Sequence, residues 1–221
     1  MKSLTELINR AEPGWSTVKD WIATATNHVE VLPPIDDRTR ELALLETQVT
    51  TRSPMGAVIY ETGGILVDHG WLRILGSGHP RLPRSLPNWN RPRTSRAPGV
   101  PPPFLLIADD IVGGFFAIDG GGLHAAPGKV CYCAPDSLRW ENTNRGYSDF
   151  LVFCFKGNLN QYYESLRWPG WQEELKSLPG DKVMSIYPPL WTKGPSISER
   201  HRGPTSISEF YRLMVDKDAP L

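Results

Sequence analysis

The chain has 221 residues, 40% of them apolar, and its 24 basic and 24 acidic side chains give a formal net charge of zero. That length suits one domain, or one domain with an extension, able to bury a core without disulfide staples. Zero net charge supplies no global field toward nucleic acid or a membrane surface, and the longest apolar run, Phe150 to Phe155, falls far short of the roughly 20 residues that span a bilayer.

Ser3 and Glu6 have capping-box spacing, and Leu4, Leu7, Ile8 and Ala11 follow at helical intervals. Glu6 also stands where a signal peptide carries an apolar stretch. Pro13-Gly14 ends the first helix, and a second runs from Trp15 with Val18, Trp21, Ile22 and Ala25 on one face until Pro33-Pro34 breaks it. Asp37 is placed to cap a third helix carrying Leu42, Leu45 and Val49. The period then changes to two. Ala57–Tyr60, Ile65–Val67 and Trp71–Leu75 read as short strands between glycine turns.

Residues 76–103 hold eight prolines and three glycines, which is loop chemistry over an unusual length. Strands Phe104–Ala108 and Phe115–Asp119 follow, joined by an Asp-Asp-Ile-Val-Gly-Gly turn, and Lys129–Cys133 and Ser137–Trp140 read as two more. A helical stretch begins at Tyr147, with Ser148 or Asp149 as its cap and Gly157 as an interruption. Trp171–Leu178 reads as a short helix, 179–204 as irregular, and Ser206 with Glu209 as a second capping box before Phe210, Leu213 and Met214. The expected fold is therefore α+β, a mixed or mainly antiparallel sheet of short strands flanked by N- and C-terminal helices. One domain is expected: a helical region over 1–53, a sheet core over 54–167, and an irregular extension with a final helix over 168–221.

Thr62-Gly-Gly-Ile, Gly70-Trp-Leu-Arg-Ile-Leu-Gly-Ser-Gly and His79-Pro-Arg-Leu-Pro-Arg-Ser-Leu-Pro-Asn-Trp resemble, nearly end to end, an uncharacterised bacterial family known by a domain-of-unknown-function number. Phe104-Leu-Leu-Ile-Ala-Asp-Asp-Ile-Val-Gly-Gly-Phe-Phe-Ala-Ile-Asp is similar to the core motif of the SUKH superfamily. That second resemblance implies an α+β protein-binding scaffold with no shared active site, many of whose members look like immunity proteins that neutralise secreted toxins.

The candidate contact surface is the basic segment. No acidic residue lies between Asp68 and Asp109, while Arg73, Arg81, Arg84, Arg91, Arg93 and Arg96 do. The planar guanidinium fork pairs with carboxylate or phosphate, and Trp89 among them has the character of a contact anchor. Arg81, Arg84, Trp89, Arg91, Arg93 and Arg96 are therefore the expected partner-binding residues, the partner being a protein with an acidic surface, a toxin in the immunity reading. The alternative is a solvated loop whose arginines pair with the protein's own acids. Nucleic acid is disfavoured because no binding motif accompanies the neutral charge.

Asp109, Asp110 and Asp119, with Gly113 and Gly114, form the other constellation. They are turn chemistry, with carboxylates capping free N–H groups, or else ligands or an acid/base set in a small-ligand binder or enzyme. No catalytic set is recognisable, so the enzyme question stays open with a non-enzyme preferred. Cys131 and Cys133 share one strand face without a second pair to complete a metal site, and Cys154 reads as core. Asp68 and His69 read as strand neighbours that point to opposite faces. No cofactor or metal is expected. Three cysteines without framework spacing point to a cytoplasmic home, and self-association through the proline-rich loop is a further possibility.

Overall fold

A computed structural model describes residues 1–94 and 101–215. Its centre is a seven-stranded antiparallel sheet whose spatial order is its chain order: β1 (Val29–Leu32), β2 (Gly64–Val67), β3 (Leu72–Leu75), β4 (Phe104–Asp110), β5 (Phe115–Asp119), β6 (Val130–Cys133) and β7 (Trp140–Arg145). A separate hairpin pairs β8 (Lys182–Tyr187) with β9 (His201–Ser206). Helices α1 (Leu4–Leu7), α2 (Gly14–Ala23), α3 (Asp37–Thr47) and α4 (Pro54–Glu61) lie in the first third, and the short α5 (Leu86–Asn90) lies between β3 and β4. Then come α6 (Tyr147–Lys156), α7 (Leu159–Tyr162), α8 (Trp171–Leu175) and α9 (Ile207–Met214). The α+β class stands, and the sheet is antiparallel throughout.

Alternation along each strand gives the sheet two differently furnished faces. On one, Ala108, Phe116 and Tyr132 lie in register, and Phe116 meets Phe150 of α6 with ring centroids 5.0 Å apart. α4 and α2 pack beside α6. On the other face a single cross-strand row runs Glu30, Leu66, Arg73, Asp109, Phe115, Cys133, Trp140. The hairpin, α5 and α9 cover its middle. Phe115 packs edge-on against Tyr211 of α9 at 5.1 Å, and Met184 N–H of β8 donates to Ile111 C=O at 2.6 Å.

Several local expectations give way. Ala57–Tyr60 belongs to α4, because Ser53 caps it by accepting from Gly56 N–H at 3.1 Å and Pro54 sits at its first turn, where no N–H is needed. The cap of α3 is Asp36, whose Oδ1 accepts from Thr39 N–H at 2.6 Å, rather than Asp37. β1 falls inside the region read as helical and closes one edge of the sheet. Ser137–Arg139 is not strand, and β7 starts at Trp140. α6 is capped by Gly146, with neither Ser148 nor Asp149 in that role, and ends at Gly157. The stretch 179–204, read as irregular, carries β8 and most of β9. Within 76–103, α5 docks through Asn90, whose amide bonds both Leu106 N–H and Leu106 C=O at 2.8 Å, standing in for a strand neighbour of β4.

Candidate functional site

The covered part of the cross-strand row is held by a buried ion triad. Arg73 Nε donates to Asp109 Oδ1 at 2.6 Å, with Nη2 2.5 Å from the same oxygen, and Arg84 Nη1 donates to Oδ2 at 2.7 Å. Both guanidiniums continue to the hairpin's main chain, Arg73 Nη1 to Lys182 C=O at 2.6 Å and Arg84 Nη2 to Gly180 C=O at 3.0 Å. Burial pushes the Arg73 guanidinium below its ordinary value, and the Asp109 charge opposes that. The triad fastens the hairpin to the sheet, and Asp109 has no oxygen left for a substrate or metal.

Asp110 points to the opposite face, as its adjacent strand position requires. Its Oδ1 accepts from Gly114 N–H at 2.8 Å and Val112 N–H at 3.1 Å, and its Oδ2 accepts from the Tyr132 hydroxyl at 2.7 Å. Desolvation pushes this carboxyl up to about 6, with the neighbouring Asp109 charge in the same direction, against the pull of the Tyr132, Gly114 and Val112 donors. Gly113 has φ +88, and a side-chain carbon there would fall inside the Phe210 ring. One at Gly114 would meet Asp110 Oδ2 and the Tyr132 hydroxyl.

Asp119 closes a different loop, with Oδ1 accepting from Gly121 and Leu123 N–H and Oδ2 from Ala125 N–H, at 2.6–3.0 Å. Desolvation raises this carboxyl, but the backbone donors outweigh it and leave the group below its usual range. Asp119 lies opposite Phe104 and Asp109 opposite Phe115, which separates the two residues by roughly 13 Å along the regular strand β5. The three aspartates do not converge.

The basic segment divides. Arg84 is in the triad, and Trp89 is 4% exposed beneath Arg93, whose guanidinium carbon sits 3.4 Å from the indole centroid. Arg93 also donates to Trp89 C=O and to Ser208 Oγ of α9, and burial pulls its guanidinium down to about 10. Arg91 reaches out to Glu46 of α3 at 2.5 Å on an exposed surface. Arg81 grips Glu30 of β1 with both Nη atoms, the Nη2–Oε2 arm being 3.0 Å. Arg96 lies outside the described residues. Burial leaves Arg84 and Trp89 no surface to offer, whereas Arg81 and Arg91 keep theirs.

Arg81 stands at the mouth of an open cleft of about 840 Å³. Its lining includes Leu66 and Arg73 of the cross-strand row and Ile111, all three buried. The wall is α8 and the chain after it, through Leu175, Lys176, Leu178 and Asp181. His28 and His69 form part of the rim, stacked at 4.5 Å with 11° between their planes. His69 and Asp68 are not on a strand. Both sit at positive φ (58° and 52°) in the tight β2–β3 turn closed by Gly70 N–H to Val67 C=O. Asp68 there pairs with Arg167, whose guanidinium lies over Trp71 at 4.8 Å and Trp171 at 4.5 Å. A second, smaller concavity of about 340 Å³ is apolar, between the hairpin and α9, and includes Tyr187, Trp191, Phe210 and Leu213.

Glu30, His28 and Lys176 were not legible as site residues. The alternation Val29-Glu30-Val31 ahead of Pro33 is the signal that marks β1 and places Glu30 on one face. Cys131, Cys133 and Cys154 are buried and not disulfide-bonded, and desolvation raises the thiols of Cys131 and Cys154, which opposes a nucleophilic role. Among the described residues no group of three or more His, Cys, Asp or Glu side chains is placed to hold a metal, and no helix is long and apolar enough to cross a membrane.

The model of a family described as a protein of unknown function, DUF2625, matches residues 4–210. The chain is 41% identical over 214 residues to the putative uncharacterised protein YbfG of Escherichia coli, covering 96% of this chain and 95% of that one. It is 41% identical over 213 residues to an uncharacterised protein of Haemophilus influenzae, covering 96% and 93%. No solved structure matches.

Proposed function

The chain belongs to the DUF2625 family of unknown function, and we propose that it is a non-catalytic protein-binding module of the cytoplasm whose contact surface is the cleft beside Arg81. The observation that carries this reading is how the aspartates are spent. Asp109 is saturated by two arginines, Asp110 by a turn and a tyrosine, and Asp119 by loop N–H groups. Acid/base or metal chemistry at these carboxylates would first have to break the bonds that hold the β4–β5 turn and the hairpin. The cleft, in contrast, holds two exposed ion pairs, the bidentate Arg81–Glu30 and Lys176–Glu173, that take no part in fastening the hairpin or the β4–β5 turn.

The narrower form of this reading is an immunity-like role, neutralising a toxin by covering its working surface. Its support is the similarity of Phe104–Asp119 to the SUKH core motif. The test is affinity capture from a lysate of the native host. Wild type and Arg91→Glu are expected to retain one partner that Arg81→Glu/Lys176→Glu loses. Equal retention by all three removes the cleft as the contact surface, and a toxin as the captured partner selects the immunity form.

A further inference from the structure

Away from the cleft, α9 and the open end of the hairpin share an apolar face. Tyr187 and Leu213, 69% and 59% exposed, are two of the five large apolar side chains exposed among the described residues, and both line the smaller concavity. Leu190 and Trp191 beside them keep part of their surface, and no residue lining the concavity is charged. Apolar surface gathered in one place marks a contact face. The solvent side of α9 indicates what covers it. Glu209 and Arg212 are exposed there, three residues apart, and neither is paired with an opposite charge among the described residues. A partner surface of one sign would satisfy one of them and oppose the other. A second copy of the chain satisfies both, because in a two-fold contact residue i meets residue j while j meets i. Where α9 lies antiparallel to its two-fold mate, with Leu213 level with the partner's Phe210, Glu209 and the partner's Arg212 stand two residues apart along the axis. That is about 3 Å, at an interaxial distance of about 8–10 Å that the two side chains together span. Zero net charge adds no overall repulsion between copies.

We infer that this face pairs two copies of the chain about a two-fold axis, with Leu213 of each copy at the mouth of the other's concavity and two Glu209–Arg212 pairs closing the rim. The contact is small, so concentration sets the balance between one copy and two. No residue of the concavity lines the cleft beside Arg81, so the pair carries two clefts on one body.

The experiment is sedimentation velocity on the full chain from about 5 to about 500 µM, a range that brackets weak association. Wild type is expected to move from the mass of one copy toward that of two. Leu213→Glu, at an exposed position, is expected to weaken self-association at least about tenfold. Glu209→Arg and Arg212→Glu each set like charges against each other across the axis and are expected to self-associate at least about fivefold more weakly. Their equimolar mixture pairs two arginines with two glutamates and is expected to recover the wild-type affinity within about twofold. Recovery on mixing is a gain that loss of folding does not mimic. A wild type that stays a single copy throughout, a Leu213→Glu that associates as wild type does, or a mixture no tighter than its components overturns the inference. A single-copy wild type that retains a different protein from lysate only while Leu213 is intact assigns the face to that protein and also overturns it.

Discussion

Glu30 and Asp109 stand three strands apart in one cross-strand row, and arginines three residues apart in the chain hold them, Arg81 at the exposed end and Arg84 at the buried one. One short segment therefore lies across the sheet face from the open cleft to the covered interior. The two ends answer differently to substitution.

At the buried end, Asp109→Ala leaves Arg73 and Arg84 facing each other without their anion. The expected cost is about 3–5 kcal/mol of unfolding free energy, read as a fall in urea midpoint. Arg73→Met/Asp109→Leu/Arg84→Met removes all three charges together and is expected to recover part of that loss. A single substitution within about 0.5 kcal/mol of wild type shows that the triad does not hold the hairpin.

Asp110 gives the stability a pH signature. Its carboxyl titrates at about 6 folded, against 3.8 ordinarily. Between those values the folded chain holds a proton that the unfolded chain has released, so stability falls as pH rises across the window, by about 3 kcal/mol in all, and this residue adds no slope outside it. Asp110→Asn does not ionise, and its Oδ1 still accepts from Val112 and Gly114 N–H. Urea titrations at about pH 4 and pH 7 should show the variant gaining on wild type at the higher pH. A gap that does not change with pH rejects the assignment.

Gly113→Ala combines a strained positive φ with a clash against the Phe210 ring. About 2–4 kcal/mol of destabilisation is expected. In a Phe210→Leu background the clash component shrinks and the backbone component stays, so a double-mutant cycle should show coupling between the two sites. Additive effects contradict the contact.

Trp89→Ala empties a site packed under Arg93 and edge-on to Tyr211 at 6.0 Å. It is expected to cost about 3–5 kcal/mol, whereas Arg91→Glu on the exposed surface changes stability by less than about 1 kcal/mol. Thermal melts separate the two. Equal melting temperatures place Trp89 outside the core.

Strand periodicity from Ile65 to Cys133 is a local signal and survives folding because hairpins of an antiparallel meander are local structures; of the two aspartates expected in the turn, Asp110 accepts from Val112 and Gly114 N–H, whereas both lie on β4 and Asp109 is held in the ion triad. The α4 helix reads as a strand because Ala57, Val58 and Ile59 form a continuous apolar run, all three buried, with no amphipathic period. β8 and β9 lie in a stretch whose Pro179, Pro188, Pro189, Pro195 and Pro204 read as loop chemistry. The cleft was least legible of all. It joins Glu30, Arg81 and Lys176 from three distant parts of the chain, and nothing local announces that they meet. The arginine count alone does not separate buried Arg84 and Trp89 from exposed Arg81; burial does.

Arg73 and Arg84 hold the hairpin through the carbonyl oxygens of Lys182 and Gly180. Every residue type offers such an oxygen, so this anchorage is indifferent to side-chain identity at 181 and 182. Gly180 is the exception, since a side-chain carbon there would strike Arg81 C=O. Side chains on that wall of the cleft can therefore change without unseating the hairpin.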